Sequence, residues 1–248
     1  MGYSELKIIT SQSYSQWTSY GKYSIDSFLE NWPEECRLLV YTEDYDKLSH
    51  NNPRIEIVNL KTVNEDYNAF INDKTVWYRA KNFAHKAWAI IDTIEKNDKG
   101  FLIWLDCDVV TKKKITLDWI SDACPNHCIS GHLGQYQHMG QERTPIYSAE
   151  TGCFILNLNN KYIDTFYNEY KRRYVERDWS NCKKPFDTDV FGNAMLMAKK
   201  EGAVWNELNP DLNLLSPFNK SFFGQRLYHY KARGKTVMSN RESNSYED

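Results

Sequence analysis

The segment FLIWLDCD, at residues Phe101–Asp108, is an apolar run that ends in two acids. Its first five residues, Phe101–Leu105, are continuously apolar, and Gly100 precedes them. A strand that is buried on both faces of a sheet has this composition, whereas a half-exposed strand alternates apolar and polar residues. We therefore predict that Phe101–Leu105 is a central strand and that Asp106 and Asp108 follow its carboxyl end.

Shorter apolar segments on either side of this run have the lengths of further strands and helices. The other predicted strands are Leu6–Thr10, Arg37–Tyr41, Ile55–Val58, Cys128–Gly131 and Cys153–Asn157. The predicted helices are Tyr20–Asn31, Tyr78–Glu95, Ile163–Glu176 and Thr188–Glu201. Strands that alternate with helices at this spacing predict an α/β fold with a mostly parallel central sheet and flanking helices.

The segment between Gly131 and Tyr147 is rich in glycine and glutamine. Because it is too polar for a core element, we predict a long irregular loop there. The chain shows no repeats and no clear linker, so residues 1–240 are predicted to form a single domain. Residues 241–248 have the composition of a flexible C-terminal tail.

Composition and charge argue against several classes of protein. The 248 residues, of which 41% are hydrophobic, suffice for one large domain with a core. A net charge of −2 at pH 7 argues against a protein that binds duplex DNA or RNA through a basic face. No apolar stretch approaches the roughly 20 residues of a membrane span, and the N-terminal residues form no apolar signal segment. We therefore expect a cytoplasmic protein without a transmembrane segment.

The two acids after the central strand predict a metal site. In open α/β sheets, ligands bind beyond the carboxyl ends of the strands. Asp106 and Asp108 would repel each other there, and a divalent cation would relieve that repulsion. Mn²⁺ and Mg²⁺ suit such a site because they prefer oxygen ligands and usually share them with substrate phosphates. The alternative is a pair of acids that only ends a strand and caps the next helix.

Together with three later segments, this motif resembles the pattern of GT-A glycosyltransferases, which take a sugar from a nucleotide-sugar donor. WLDCDV at Trp104–Val109 resembles their metal-binding Asp-x-Asp motif. The three later segments are ETGCFILN at Glu150–Asn157, FDTDVF at Phe186–Phe191 and HYKARGK at His229–Lys235. Their order resembles that of the glycogenin-like and bacterial galactosyltransferase family (family 8). That family favours Asp-Gln-Asp where this chain has Asp187-Thr188-Asp189, and asparagine where this chain has Glu150.

The resemblance implies a single GT-A (Rossmann-like) domain and a role for each matching residue. It assigns the metal to Asp106, Asp108 and His229. It assigns donor binding to Thr10, Tyr14, Arg79, Lys81, Lys86, Asp106, Lys231 and Lys235. Which of the three basic residues on the helix near position 80 neutralises the diphosphate stays open. The catalytic carboxylates would be Asp187, Glu150 and Asp189, with Asp187 preferred, although Asp187 is equally suited to cap the helix predicted to begin at Thr188.

The implied function is metal-dependent transfer of a sugar from a nucleoside-diphosphate sugar, with a UDP-sugar favoured, to an acceptor hydroxyl. A glycan is the favoured acceptor on family grounds, and a modified DNA base stays open although nucleic acid is not otherwise expected. Two alternatives compete. Asp106 and Asp108 also fit the Asp-x-Asp motif of haloacid-dehalogenase-like phosphatases, as nucleophile and general acid/base. A non-catalytic nucleotide- or carbohydrate-binding module would keep the same fold.

Overall fold

The computed structural model describes residues 2–137, 146–214 and 217–231. The strands are β1 Leu6–Ser11, β2 Leu38–Thr42, β3 Ile55–Asn59, β4 Phe101–Leu105, β5 Val109–Thr111, β6 Ser130–Gln137, β7 Ile146–Asn157, β8 Asn206–Glu207 and β9 Leu227–His229. The helices are α1 Tyr14–Gln16, α2 Lys22–Asn31, α3 Glu65–Asn72, α4 Tyr78–Lys96, α5 Leu117–Ala123, α6 Ile163–Glu176 and α7 Asp187–Lys200. A π-helical segment, Trp17–Gly21, joins α1 to α2. None of the described helices is long and apolar enough to cross a membrane.

The larger sheet has seven strands in the order β3-β2-β1-β4-β7-β6-β8. Strand β1 pairs in parallel with β2 and β4, β2 pairs in parallel with β3, and β6 pairs in parallel with β8. Only the pairings of β7 with β4 and β6 are antiparallel. Four of these six pairings are parallel, which confirms the predicted α/β fold with a mostly parallel sheet.

The predicted central strand is confirmed, because all five residues of β4 are buried. Successive side chains of a strand point to opposite faces of the sheet. Leu102 and Trp104 pack in one core with residues of α4, α6 and α7. Ile103 and Leu105 pack in the other core with residues of α2 and α5. The sheet is therefore covered on both faces, and its exposed carboxyl edge is where a ligand can enter.

The prediction of a long irregular loop between Gly131 and Tyr147 is wrong at both ends of that segment. Strand β6 runs to Gln137, and β7 already begins at Ile146. The two strands pair with each other in antiparallel register, so their polar residues belong to the sheet. The polar composition of this segment did not indicate a loop, because polar groups can be buried in a sheet when they are hydrogen-bonded. Residues 138–145 lie outside the described residues.

One buried polar network explains why β6 is a strand. The imidazole of His132 is fully buried, with Nδ1 2.8 Å from Ser130 Oγ and Nε2 2.6 Å from the Tyr147 hydroxyl. The Tyr147 hydroxyl also donates to Glu207 at 3.3 Å. The Phe191 ring packs edge-on against the imidazole at 5.4 Å. Burial lowers the pKa of His132 to about 3, so the network holds a neutral imidazole.

We expect acid to destabilise the protein through His132. In the unfolded chain this imidazole protonates near its ordinary pKa of about 6.5, whereas the folded protein keeps it neutral down to pH of about 3. Between these values the unfolded state binds about one more proton, so the free energy of unfolding falls as the pH falls. The loss from His132 between pH 7 and 5 should be about 2 kcal/mol. Urea unfolding at both pH values should show a loss in the wild type that is larger by this amount than in His132→Gln, and equal losses would contradict the assignment.

Candidate functional site

The acidic pair lies at the carboxyl edge of the larger sheet, where the chain leaves β4 in a tight turn. The N–H of Val109 donates to the carbonyl of Asp106 at 2.9 Å, which closes the turn. The N–H of Asp106 donates to the carbonyl of Gly152 at 2.8 Å, which ties the turn to β7. As a result the Asp106 side chain is half-buried and that of Asp108 is buried at the same edge.

A small second sheet brings His229 to the acidic pair. Strand β5 directly follows Asp108 and pairs in antiparallel register with β9, so that Val109 lies opposite His229. The Nε2 atom of His229 lies 3.1 Å from Asp108 Oδ1 and 3.8 Å from Asp106 Oδ2. The structure thus brings together the three residues that the sequence assigns to a metal, although His229 is far from the two acids along the chain.

These three residues form a donor set that fits a divalent cation. Asp106, Asp108 and His229 each offer a ligand atom, and these atoms all lie within 4.8 Å of one another. Two carboxylate oxygens and one imidazole nitrogen could bind a divalent cation, which would complete its shell with water or substrate oxygens. The Nδ1 atom of His229 is buried and makes no hydrogen bond of good geometry among the described residues, so the contact of Nε2 with Asp108 and the charge of Glu150 orient the imidazole.

Glu150 and Lys231 lie on the other side of His229. Glu150 Oε1 is 3.5 Å from His229 Nδ1, and Lys231 Nζ contacts Glu150 Oε2. Burial opposes a positive charge on His229, but the carboxylates of Asp108, Glu150 and Asp106 outweigh it and raise the pKa of His229 to about 9. Burial likewise opposes the charge on Glu150, yet His229 and Lys231 lower the pKa of Glu150 to about 2. The cluster therefore favours positive charge at this edge of the sheet.

Lys86 of α4 lies between two of the acids. Its Nζ atom is 2.9 Å from Asp106 Oδ1 and 2.8 Å from Asp187 Oδ2, and it donates to the carbonyl of Thr151 at 2.5 Å. The ammonium also lies 4.9 Å from the ring centre of Trp104. Burial would lower the pKa of Lys86, but Asp106 and Asp187 hold it above the ordinary value. Lys86 stays charged and fixes the relative positions of the two carboxylates.

Asp187 faces the site and is not a helix cap. Helix α7 begins at Asp187 itself, with Phe186 in the N-cap position. The Asp187 carboxylate is buried, accepts a hydrogen bond from Thr151 Oγ1 at 2.6 Å and pairs with Lys86. The alternative in which Asp187 caps a helix from Thr188 is therefore wrong.

Asp189, the third predicted catalytic carboxylate, is held by the loop before α7. Its Oδ2 atom accepts the backbone N–H groups of Lys183 and Lys184 at 2.9 and 3.1 Å. Its burial raises its pKa. Asp189 is not among the residues that line the cavity described below, and its contacts are those of a residue that positions this loop.

A cavity of about 440 Å³ opens at the same carboxyl edge. This volume falls within the range of about 300–1,000 Å³ that is usual for small-molecule sites. Residues that follow β1, β2 and β4 line it, together with residues of α4 and the start of α7. Asp106, Asp108, Lys86 and Asp187 occupy one part of the wall. Two of the candidate metal ligands, Asp106 and Asp108, thus line a cavity of a size that suits a small-molecule ligand.

Several cavity residues were not predicted. Gln12 directly follows β1, is buried, and has no hydrogen-bond partner for either amide atom among the described residues. Glu43 and His85 both line the cavity, and Glu43 Oε2 lies 3.5 Å from His85 Nε2. The Trp104 indole N–H donates to Asp106 Oδ1 at 2.6 Å. The rule that ligands meet the first residues after parallel strands would have indicated Gln12 and Glu43.

The remaining predicted donor residues lie in different places. Thr10 is buried at the end of β1, while Tyr14 is exposed and donates its N–H to Asp44 at 2.8 Å; neither lines the cavity. Lys81 donates to the carbonyl of Ile71 at 2.5 Å and also lies outside the lining. Arg79 lies on an exposed surface of α4. Lys235 is outside the described residues.

Gly152 leaves the space that His229 occupies. A Cβ atom at position 152 would lie 2.5 Å from His229 Nδ1 and 3.2 Å from Glu150 Oε1, too close for the present arrangement. We expect Gly152→Ala to displace the imidazole and to lower Mn²⁺ affinity about 10- to 100-fold, as loss of ligand orientation usually does. Titration with Mn²⁺ followed by electron paramagnetic resonance is the measurement. Gly2→Ala, where the nearest atoms would be 3.8 Å away, is the control, and unchanged affinity in Gly152→Ala would argue against His229 as a ligand.

Comparison with solved structures supports the predicted fold, whereas comparison with protein families and curated proteins finds no match. No protein-family model matches the sequence, and no curated protein matches it either. Among solved structures, mouse xyloside xylosyltransferase 1 is similar with a TM-score of 0.56 at 9% identity, over 92% of this chain and 98% of that one. The galactosyltransferase LgtC, solved with donor and acceptor sugar analogues, has a TM-score of 0.56 at 14% identity over 95% of both chains. The bifunctional glycosyltransferase WbbM has a TM-score of 0.54 at 14% identity, over 92% of this chain and 46% of that one. The predicted GT-A fold is confirmed.

Proposed function

We propose that this protein is a metal-dependent glycosyltransferase. It takes a sugar from a nucleoside-diphosphate sugar, with a UDP-sugar favoured, and transfers it to a hydroxyl group of a glycan. One observation carries the proposal: Asp106, Asp108 and His229, drawn from distant parts of the chain, converge beside a cavity at the ligand-binding edge of a GT-A fold. An acidic pair whose only role was to end a strand would not require His229 beside it.

The departing nucleoside diphosphate carries negative charge that the site must stabilise. A divalent cation held by Asp106, Asp108 and His229 would supply positive charge to the diphosphate oxygens. Lys86 lies beside the same edge and is charged, and Lys231 projects from the chain just after His229. We assign donor binding to these two lysines before the other basic candidates because each contacts an acid of the site. Lys86 contacts Asp106 and Asp187, and Lys231 contacts Glu150.

The part of the cavity formed by the residues that follow β1 suits the nucleoside. Gln12 offers a buried amide with an unused donor and an unused acceptor. Thr10 and Tyr14 flank the chain segment that contains it, in the positions that the resemblance gives to base and ribose. An amide can satisfy both kinds of hydrogen-bonding group on one edge of a base.

Asp187 is the carboxylate that we assign to catalysis. It lines the cavity, its side chain is largely buried, and it is fixed by Lys86 and Thr151. A fixed carboxylate can accept the acceptor's proton or stabilise positive charge that develops on the sugar. Glu150 is the second candidate, although it is already engaged by His229 and Lys231. Asp189 positions the loop before Asp187.

Thermal unfolding with nucleoside diphosphates, in the presence and absence of Mn²⁺, tests the proposal. A ligand that binds only the folded state stabilises it by about 2.7 kcal/mol at 100 times its dissociation constant. We expect UDP to raise Tm with Mn²⁺ and to have little effect with EDTA. If no nucleoside diphosphate raises Tm with either Mn²⁺ or Mg²⁺, the proposal fails.

A further inference from the structure

Four aromatic rings form a surface beside the candidate site that the proposed chemistry does not use. We call Trp77, Tyr78, Phe83 and Phe186 the aromatic shelf. The rings of Trp77 and Phe186 are nearly parallel, at 11° and 5.9 Å between centroids. Phe83 packs on Phe186 at 4.7 Å, and Tyr78 packs edge-on against Trp77 at 5.9 Å. The four rings are therefore one continuous layer.

The aromatic shelf runs from the cavity to the solvent. Phe83 lines the cavity, and Phe186 immediately precedes the proposed catalytic residue Asp187. At the outer end Trp77 is 40% exposed and Tyr78 is 61% exposed. Adjacent exposed rings on a protein surface usually mark a binding site, because isolated apolar residues are common there and contiguous patches are not.

The two segments that carry the rings of the aromatic shelf contain only positive charges, and they end next to Asp73 and Asp187. Residues 74–86 and 183–186 contain lysines and one arginine but no aspartate or glutamate. The Arg79 guanidinium lies 5.6 Å from the Trp77 ring centre, and Lys184 Nζ lies 5.5 Å from that of Phe186. Within the part of the chain that the structure describes, neither side chain forms an ion pair with a carboxylate. Two cations thus flank the rings without a counterion from the described protein.

We propose that the aromatic shelf is the acceptor subsite and that it takes a glycan carrying an anionic group, either a carboxylate or a phosphate. This inference rests on the proposed function, since the acceptor hydroxyl must approach Asp187. The flat rings offer apolar area to the C–H face of a sugar, and Trp77 and Tyr78 also offer a polar group. Arg79 and Lys184 pair with the anionic group, for which an arginine fork is well suited.

A glycan fits the aromatic shelf better than a nucleic acid does. Nucleic-acid binding requires a basic surface that follows several phosphates, and it depends strongly on such contacts. The whole chain has a net charge of −2, and two cations, Arg79 and Lys184, lie over the rings. This arrangement matches one or two sugar units with a single charge better than an extended strand.

Calorimetric titration with matched pairs of oligosaccharides tests the proposal. One pair is a glucuronic-acid-containing tetrasaccharide and its carboxyl-reduced form, and the other is a phosphorylated oligosaccharide and its dephosphorylated form. We expect the wild type to bind at least one anionic member more tightly than its neutral partner. Trp77→Ala should weaken binding of that probe about tenfold, and Trp77→Phe should retain most of it. Arg79→Gln and Lys184→Gln should each lower the affinity for the anionic probe about two- to fivefold and leave the affinity for the neutral probe unchanged.

Lys199→Gln is the matched control. Lys199 also lies over an aromatic ring, 4.6 Å from that of Trp205, but near the far end of α7, about 20 Å from Asp187. UDP binding with Mn²⁺ should be unchanged in the Trp77, Lys184 and Lys199 variants, so loss of nucleotide binding in these variants would count against the proposed function and not against the aromatic shelf. Equal affinity for anionic and neutral probes in the wild type would overturn the proposal. Tighter binding of a single-stranded oligonucleotide than of every glycan, lost in Trp77→Ala, would overturn it as well.

Discussion

Asp108→Asn should abolish Mn²⁺-dependent binding of a nucleoside diphosphate while the protein remains folded. The change removes one carboxylate from a donor set in which Asp106, Asp108 and His229 lie within 4.8 Å of one another. Loss of a residue that only orients a ligand already costs about 10- to 100-fold in metal affinity, so loss of a direct ligand should cost more than about 100-fold. Asparagine has the same shape and relieves repulsion among the buried acids, which is why we expect the fold to persist. Calorimetry with UDP and Mn²⁺ is the measurement.

Asp26→Asn is the control for this variant. Asp26 is an exposed acid on α2, so its replacement makes the same change in net charge away from the site. We expect wild-type affinity in Asp26→Asn, and both variants should be folded at the temperature of the titration, although loss of the Asp108–His229 pair should lower the Tm of Asp108→Asn. Wild-type nucleotide affinity in Asp108→Asn would show that the acidic motif has only a structural role.

Asp187→Asn should reduce turnover far more than it weakens donor binding. The carboxylate is fixed by Lys86 and Thr151 beside the cavity, where proton transfer or charge stabilisation is needed in the transition state. General acid–base contributions amount to about 10²–10⁴-fold, so kcat should fall within that range. The dissociation constant of the nucleotide sugar should change by less than about tenfold, and comparison of single-turnover rates with equilibrium binding separates the two effects.

Glu150→Gln is the comparison that decides between the two carboxylates. Glu150 contacts His229 and Lys231, so its loss should weaken nucleotide binding with Mn²⁺ and spare the chemical step. If Glu150→Gln lowers kcat more than Asp187→Asn does, the two assignments must be exchanged. The contact of Asp187 with Lys86 would then serve only to position Asp106.

The features that were predictable from sequence are those with a local cause. The continuous apolar composition of β4 identified a central strand, and the order of the surrounding segments identified the sheet. The short helices α1, α3 and α5 were missed, although the N-caps of α3 and α5 were visible in the sequence. Asn64 accepts the N–H of Asp66 at the start of α3, and Thr116 accepts that of Trp119 at the start of α5.

The features that could not be derived from local pattern depend on distant pairings. His229 reaches Asp108 through two strands of three residues each, which are too short to show any periodicity. Only the resemblance to a glycosyltransferase family predicted His229 as a metal ligand. Likewise, the choice of Lys86 over Arg79 and Lys81 depends on which side of α4 packs against β4, and helical spacing alone allowed more than one answer.

The decisive measurement for the proposed sugar transfer is the release of nucleoside diphosphate from nucleotide sugars, with Mn²⁺ and with EDTA. We expect steady release from at least one member of a panel of UDP- and GDP-sugars, no release with EDTA, and recovery when Mn²⁺ is added back. The same preparation should not release inorganic phosphate from p-nitrophenyl phosphate. Phosphate release with no nucleotide-sugar turnover would instead identify a phosphatase that uses Asp106 and Asp108. Nucleotide binding without any turnover, in the presence of a broad set of acceptors, would identify a binding module, and either result would contradict the proposed transfer.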